Sequence, residues 1–331
     1  MKNFGKLLTL IAFIAIFVSA CAPTAVQNQS TENIAEEKPA DAASVEAVDE
    51  TEPEPMVFYD DMENMLEFVE YPKAIVSLSP SMTEQLFAMG AADQVVGRDD
   101  ASLYPEEALE VESIGSLYGD LPAETILALE PDLVLTAEII SPETVTALQD
   151  LGLQVYWQQN PATFEDLFEN IKDIAALTGN QDMVEAVVED LEARVAAVEE
   201  AVSDAETTPS VFYELDGTDP SNPWTTGSGT FIDYIMTMAG GANAASELQG
   251  DYAQMSAEAL IAADPDFILL GDALYGTTPE SVMERAGWDA ITAVQNGAVY
   301  PFNPDILSVP GPRLVEGLEE MAKLLHPELF E

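Results

Sequence analysis

The spacing of apolar residues predicts short buried strands that alternate with amphipathic helices along most of the chain. Two apolar runs, 57–59 and 66–69, flank a polar turn and favour a hairpin. Further strands are predicted from β-branched or apolar runs at 74–78, 94–97, 132–135, 154–157, 211–213, 267–270 and 299–302. Strands that alternate with helices favour an α/β fold with parallel sheets.

The strand predicted at 74–78 leads directly into a short polar loop and a helix. Ser81 and Glu84 have the spacing of a capping box, which predicts that the helix begins next to Ser81. Gly90 is the expected C-terminal cap of the same helix. The segment is therefore interpreted as the first half of a strand–helix unit.

One stretch of sequence is repeated. Residues 124–135 (ETILALEPDLVL) return 134 residues later as 258–269 (EALIAADPDFIL). Each copy predicts a glutamate at a helix start, a proline stop and a buried strand, and the spacing is too long for a solenoid. The repeat predicts two lobes built alike, with Glu124 and Glu258 at equivalent surface points. The alternative is that Pro-Asp is simply a common sequence in the turn between a helix and the strand that follows it.

A long helix is predicted between the lobes. Residues 181–205 contain no Pro or Gly and carry apolar residues at helical spacing, so the helix would be ~37 Å long. We expect an N-terminal lobe at 56–178, an interlobe helix at 179–207 and a C-terminal lobe at 208–331. The predicted fold class is α/β, with two Rossmann-like lobes, central sheets, one rigid linking helix and a ligand cleft between the lobes.

The first residues have the features of an export signal. A basic start and a short apolar run at 7–20 precede Val18-Ser19-Ala20-Cys21, which resembles a bacterial lipobox. Cys21 is the only cysteine, so no internal disulfide is possible and lipid on Cys21 is the expected membrane anchor. The alternative is a plain signal peptide with a chance cysteine. Residues 21–55, poor in large apolar side chains, are predicted to be a disordered tether outside the cytoplasm.

Charge and composition exclude several function classes. The formal net charge is −51, from 61 acidic and 10 basic residues, so nucleic acid is not an expected partner. Such an acidic chain also favours a salt-rich habitat. His326 is the only histidine and lies near the C-terminus, so no histidine-based catalytic or zinc site is expected, and no acid pair indicates a hydrolase. We therefore predict no enzyme activity, no metal site and no cofactor.

Several segments resemble the substrate-binding proteins of iron-complex and vitamin B12 ABC importers. They are 74–90, Val96-Gly97, the two repeat copies, 223–227 (PWTTG) and 310–313 (PGPR), in collinear order from residue 57 to the end. The resemblance implies two lobes joined by one long helix, a ligand held in the cleft with little closure, and a permease dimer as partner. It also implies that Glu124 and Glu258, one per lobe, dock on arginines of the two permease subunits.

The resemblance places the ligand on loops at the carboxyl ends of strands, in line with the general rule for open α/β sheets. The implied ligand-binding residues are Ser79, Pro80, Ser81, Asp100, Ser102, Tyr118, Trp224, Thr226, Tyr252, Asp305 and Leu307.

The ligand itself is open to two interpretations. Trp224 and Tyr252 stand where B12 binders of the family carry aromatic residues, and flat rings suit a corrin face, although core packing would also explain them. An anionic siderophore would need several arginines, and only Arg98 and Arg313 lie near the ligand loops. A corrinoid is favoured, an iron-siderophore or other ferric chelate is the alternative, and an extracellular enzyme or adhesive lipoprotein on this fold is a remote one.

Overall fold

The structure is a computed structural model that describes residues 54–119 and 121–330. The predicted signal peptide, Cys21 and almost all of the predicted tether lie outside the described residues. Within the described part of the chain, no helix is long and apolar enough to cross a membrane.

The N-terminal half is built on a five-stranded parallel sheet. A hairpin of β1 (Met56–Tyr59) and β2 (Met65–Phe68) precedes it, as the sequence predicts. The sheet has the strand order β5-β4-β3-β6-β7, with β3 at its centre. Its strands are β3 (Ile75–Ser77), β4 (Val95–Asp99), β5 (Ser113–Gly115), β6 (Leu133–Ala137) and β7 (Val155–Gln158). The helices of this half are α1 (Pro80–Ala88), α2 (Ala123–Ala128), α3 (Pro142–Asp150) and α4 (Phe164–Thr178).

A 22-residue helix, α5 (Gln181–Val202), follows this half. Its buried residues recur every three to four positions and form one apolar face: Val184, Val188, Leu191, Val195 and Val198. The helix packs against α4 on one side and against α11 (Leu314–Leu325), the last α-helix described, on the other. Arg194 on α5 also pairs with Glu319 on α11, with 2.9 Å between Nε and Oε1. Helix α5 therefore contacts both halves of the molecule.

The C-terminal half carries a six-stranded mixed sheet with the order β11-β9-β8-β12-β13, and β10 pairs with β8. Strand β9 runs antiparallel to both β8 and β11. The strands are β8 (Ser210–Asp216), β9 (Trp224–Thr226), β10 (Ala242–Asn243), β11 (Tyr252–Gln254), β12 (Phe267–Leu270) and β13 (Val299–Pro301). The helices before α11 are α6 (Phe231–Met238), α7 (Ala257–Ala263), α8 (Pro279–Met283), α9 (Thr292–Asn296) and α10 (Asp305–Ser308).

The sequence repeat corresponds to a structural repeat of a helix and a strand. Helix α2 leads into β6, which pairs with β3, and helix α7 leads into β12, which pairs with β8. Before each proline one residue takes a left-handed conformation, Glu130 with φ 47° and Asp264 with φ 48°. The aspartate after each proline then accepts backbone N–H bonds from the neighbouring strand's start: Asp132 from Lys73 and Ala74, and Asp266 from Ser210.

The two halves share one hydrophobic core. Its largest cluster joins Ile75 and Leu135 of the first sheet to Val211 and Leu269 of the second, with the apolar face of α5 between them. The ring of Phe164, at the start of α4, lies 5.4 Å from the ring of Phe231, at the start of α6. Because the halves pack through side chains as well as through α5, the core resists large changes in their relative position.

Candidate functional site

The loop after β3 is held by hydroxyl groups. Ser79 is the N-cap of α1, and its Oγ accepts the backbone N–H of Ser81 and lies 2.5 Å from the Ser81 Oγ. Both side chains are buried, and Pro80 between them is half-buried at the first position of the helix. The predicted capping box of Ser81 and Glu84 is therefore wrong, because Ser79 caps the helix and the Glu84 carboxylate turns towards the other half.

A second polar cluster fixes the loop after β4. Buried Asp99 accepts bonds from the Ala101 N–H, at 2.9 Å, and from the Ser102 hydroxyl. The Ser102 Oγ is also 2.9 Å from the Thr83 Oγ1 on α1, so the two loops are connected. Burial raises the pKa of the Asp99 carboxyl, although its hydrogen bonds act in the opposite direction. Asp100 is exposed and accepts a bond from the Ser113 hydroxyl.

Tyr118 is the only aromatic residue predicted for the ligand site in the N-terminal half. It follows β5, and its side chain is 84% exposed. Its backbone N–H donates to the Ser116 Oγ at 3.1 Å, which shapes the turn but leaves the ring free to meet a ligand.

In the C-terminal half, the exposed aromatic residues lie on adjacent strands. Trp224 on β9 is 43% exposed, and Tyr252 on β11 is 54% exposed. Trp224 pairs with Gln254, and Tyr252 pairs with Thr226, so the two rings are diagonal neighbours on one face of the sheet. Thr226 is buried, with its Oγ1 2.5 Å from the Thr230 Oγ1.

A glycine permits a close approach between the backbone after β9 and the backbone before β11. A Cβ on Gly227 would lie 2.3 Å from the Gly250 carbonyl oxygen, so only glycine fits where β9 ends beside the start of β11. Burial raises the pKa of the Tyr252 phenol, and the carboxylates of Asp251 and Glu138 act in the same direction. Glu138 follows β6 in the other half, so a charge of the N-terminal half acts on the Tyr252 phenol.

The two remaining predicted ligand residues lie on α10. Asp305 is exposed at its first position, whereas Leu307 is buried in the shared core. The Asp305 carboxylate acts on Glu84 and on Tyr213, raising the pKa of both groups, in addition to the larger effect of their burial. The predicted site thus divides into exposed groups (Asp100, Tyr118, Trp224, Tyr252 and Asp305), half-buried Pro80, and buried supports (Ser79, Ser81, Ser102, Thr226 and Leu307).

Every arginine of the chain is already engaged within the described residues. Arg98 donates to the backbone oxygens of Ala108 and Asp99 at 2.8 and 2.9 Å. The other three form ion pairs: Arg194 with Glu319, Arg285 with Glu214, and Arg313 with Glu84. The sequence analysis places Arg98 and Arg313 near the ligand loops. In the structure, the Arg98 side chain instead holds the backbone that follows β4.

Sequence reasoning missed the pair formed by Glu84 and Arg313, which joins α1 to the start of α11. The Arg313 guanidinium carbon lies 4.0 Å from the centre of the Tyr104 ring, which follows the loop that contains the predicted ligand residues Asp100 and Ser102. The rigid sequence Pro310-Gly311-Pro312 before Arg313 is the signal that could have indicated a positioned side chain.

The two glutamates of the repeat lie in the first turns of α2 and α7, where the helix dipole favours a carboxylate. Both are exposed, and neither has a side-chain hydrogen bond or ion pair to another described residue. His326 is buried, with its Nε2 3.2 Å from the Gly240 carbonyl oxygen. In the described ranges, no group of three or more His, Cys, Asp or Glu side chains has the geometry to hold a metal.

Comparison with known proteins gives a consistent result. The profile of a family described as "Periplasmic binding protein" matches residues 75–305. The chain is 32% identical over 298 residues to an uncharacterized ABC transporter substrate-binding lipoprotein, YvrC, of Bacillus subtilis, covering 88% of this chain and 92% of that protein. It is 30% identical over 262 residues to a cobalamin-binding protein of Halobacterium salinarum, covering 77% and 70%.

Solved structures share the fold. A heme-binding protein, RhuT, from Roseiflexus sp. has a TM-score of 0.70 at 28% identity, with 78% of this chain and 99% of that chain covered. The vitamin B12-binding protein BtuF of Vibrio cholerae has a TM-score of 0.67 at 24% identity, with the same coverage, which shows the fold alone.

Proposed function

Because the chain belongs to the periplasmic binding protein family, whose members bind substrates for import and are not enzymes, we propose that it captures a corrinoid for an ABC importer. The broader assignment, a substrate-binding protein of an ABC importer in the B12, heme and siderophore group, follows from the family and its relatives. What we propose beyond this assignment is that the substrate is a corrinoid.

One observation carries the choice of a corrinoid. The rings of Trp224 and Tyr252 are exposed on adjacent strands of the C-terminal half, whereas all four guanidinium groups are paired or bonded to backbone oxygens. A large, flat, weakly charged ligand can bury Trp224 and Tyr252, because aromatic faces provide apolar area at little entropy cost. A strongly anionic ligand would find no free arginine and would also meet the field of the −51 net charge. The similarity to a cobalamin-binding protein supports the same choice.

A ferric chelate is the second candidate, and a specific feature favours it. Tyr118 and Tyr252 are both exposed, and phenolate oxygen is a ligand for haem iron. Some structural neighbours are heme-binding proteins, and one is described as an ABC-type Fe3+-hydroxamate transport system.

Titration calorimetry of the purified protein with cyanocobalamin, dicyanocobinamide, hemin and ferrichrome separates the candidates. We expect saturable 1:1 binding of the two corrinoids and a rise in melting temperature that grows with ligand concentration. Binding of hemin or ferrichrome, with no heat from either corrinoid, overturns the corrinoid assignment in favour of the chelate. Absence of binding to all four compounds overturns both.

We further propose that Glu124 and Glu258 contact the two subunits of a permease dimer. Both carboxylates are exposed, equivalent by the structural repeat, and free of side-chain partners among the described residues. Exposed charges of this kind steer association and fix orientation more than they add affinity. The double variant Glu124→Arg/Glu258→Arg should abolish uptake of the bound ligand in cells, and each single variant should impair it.

Ligand affinity and melting temperature should be unchanged in these variants. A matched control is Glu165→Arg, which reverses another exposed carboxylate in the first turn of a helix, α4. Wild-type uptake by the double variant, at normal protein levels in the membrane, would leave both residues with no role beyond the helix start.

Lipid on Cys21 is the proposed anchor, at the periplasmic or outer face of the membrane. The Cys21→Ser variant should appear in the soluble fraction and keep its ligand affinity, because the described fold begins more than 30 residues later. Retention of Cys21→Ser in the membrane fraction would indicate another anchor.

A further inference from the structure

Two groups among the residues that the structure describes combine a glutamate, an arginine and an aromatic ring. In the first, Glu214 pairs with Arg285, whose guanidinium carbon lies 4.5 Å from the centre of the Trp288 ring. All three belong to the C-terminal half. We call this group the internal triad. The chemistry is ordinary, because a guanidinium can pair with a carboxylate in its plane and stack on a ring at the same time.

The second group has the same chemistry but joins the two halves. Glu84 on α1 pairs with Arg313 at the start of α11, and the Arg313 guanidinium lies on the ring of Tyr104 in the loop after β4. We call this group the bridging triad. Arg313 therefore belongs to one half, and both of its partners belong to the other.

The ion pair of the bridging triad is largely buried but incompletely bonded. The side chains of Glu84 and Arg313 are 2% and 13% exposed. The Glu84 Oε2 and the Arg313 Nε have no hydrogen-bond partner among the described residues. A Cβ on Gly311 would lie 3.0 Å from that same Oε2, so the backbone before Arg313 closes directly over the carboxylate. The pair is thus tightly enclosed, and removal of either member would leave a buried charge without its counterion.

The outer end of the triad reaches the candidate site. Tyr104 is half-exposed and directly follows the loop fixed by Asp99 and Ser102. The carboxylate of Asp305, a predicted ligand residue, acts electrostatically on both Glu84 and Arg313. The triad therefore connects the buried contact between the halves to the exposed edge of the cleft.

We propose that Arg313 is a positioning residue that fixes the separation of the two halves at the cleft and holds the Tyr104 ring at the cleft's N-terminal edge. The cleft then presents an opening of preset width, with Tyr104 on one side and Trp224 and Tyr252 on the other. Arginine is required because a lysine ammonium has no planar face to lie on the Tyr104 ring while it pairs with Glu84. The part of the proposal that concerns Tyr104 and a ligand rests on the proposed corrinoid function, whereas the separation of the halves does not.

The separation can be measured without any ligand. Spin labels on the full chain carrying Cys21→Ser, Thr146→Cys and Thr237→Cys would report the distance between α3 and α6, one in each half. Both labelled positions are exposed. We expect a narrow distance distribution in this background and a broader one after Arg313→Met. Arg285→Met is the matched control, because it breaks the internal triad and should lower the melting temperature while leaving the distribution narrow.

Two further variants separate positioning from general damage. Glu84→Gln/Arg313→Met removes both charges, so a folded protein with a broad distribution isolates the loss of the bridge from the cost of a lone buried charge. Tyr104→Leu should weaken cyanocobalamin binding about tenfold, and Tyr104→Phe should restore it, because the contact requires the ring and not the hydroxyl.

An unchanged distance distribution in both Arg313→Met and the double-charge variant overturns the proposal. Equal broadening after Arg285→Met overturns it as well, because the effect would then not be specific to the bridge. If wild-type protein does not bind cyanocobalamin, the corrinoid function fails, while the distance measurement still decides the role of Arg313.

Discussion

The two halves of the molecule are alike at the amino ends of their strands and different at the carboxyl ends. At the amino ends, Asp132 and Asp266 make matching bonds to the start of the neighbouring strand, each after a left-handed residue and a proline. At the carboxyl ends, a buried hydroxyl contact between Thr83 and Ser102 links two loops of the N-terminal half, whereas the C-terminal half places the exposed rings of Trp224 and Tyr252 on adjacent strands.

Because of this difference, we expect the two halves to have different roles at the site. Buried hydroxyl groups must be hydrogen-bonded to avoid a cost of about 1–3 kcal/mol each, so they fix the shape of the N-terminal loops. Exposed rings contribute little to the fold and have apolar area to offer a ligand. Substitutions of the buried polar groups in the N-terminal loops should therefore act on stability, and substitutions of the exposed Trp224 and Tyr252 rings should act on affinity.

The largest effect on stability is expected from Asp99→Ala. The alanine leaves the Ala101 N–H and the Ser102 hydroxyl without their acceptor in a buried loop, so the free energy of unfolding should fall by about 3 kcal/mol. Urea unfolding measures the change. Asp100→Ala is the control, because that carboxylate is exposed, and its loss should cost less than about 1 kcal/mol. Similar losses in both variants would contradict the structural role of the buried cluster.

Trp224→Ala and Tyr252→Ala should lower ligand affinity rather than stability. Each should weaken cyanocobalamin binding by about 1–3 kcal/mol, with little change in the melting temperature, because the rings are half-exposed in the protein alone. Calorimetry and thermal unfolding on the same samples give both quantities. Tyr59→Ala removes an exposed ring from the N-terminal hairpin and should change neither. A lower melting temperature with unchanged affinity would mean that Trp224 and Tyr252 are core residues.

The pattern of apolar residues predicted those strands whose own sequence is apolar. The run at 267–270 forms β12, and the run at 132–135 largely coincides with β6, because both are apolar runs buried in the middle of a sheet. Strands β9 and β11 went unpredicted, since each has three residues and only its partner makes it a strand. The fold class could be predicted because alternation of strands and helices survives such omissions.

The details of the site depended on contacts that no local pattern contains. Glu84 fits a capping box in sequence, but its carboxylate pairs with Arg313, 229 residues away. Ser81 follows a strand and Thr226 ends one, and both are polar, so both were predicted to contact the ligand. In the structure both side chains are buried. Short hydroxyl side chains fit either environment, and the choice depends on which partners the fold supplies.

The similarity of the amino ends can be tested with Asp132→Ala and Asp266→Ala. Asp132 accepts two backbone N–H bonds, at 2.9 and 3.0 Å, and Asp266 accepts one, at 2.8 Å. Both sites are exposed, so each variant should lose about 1 kcal/mol of unfolding free energy, with the greater loss at Asp132. Ligand affinity should not change. A loss at only one of the two positions would show that the repeated sequence has different roles in the two halves.

The smallest expected effect concerns pH and the Asp99 carboxyl. Burial raises its pKa in the folded protein above the value of about 3.9 in an unfolded chain, so the folded state binds the proton more tightly. The resulting stabilisation is fully present below the unfolded pKa and is lost as the pH rises through the folded pKa. Wild-type protein should therefore gain more unfolding free energy than Asp99→Asn as the pH falls from about 7 towards 4. Parallel pH profiles for the two proteins would contradict a raised pKa of Asp99 and would mean that its hydrogen bonds fully offset its burial.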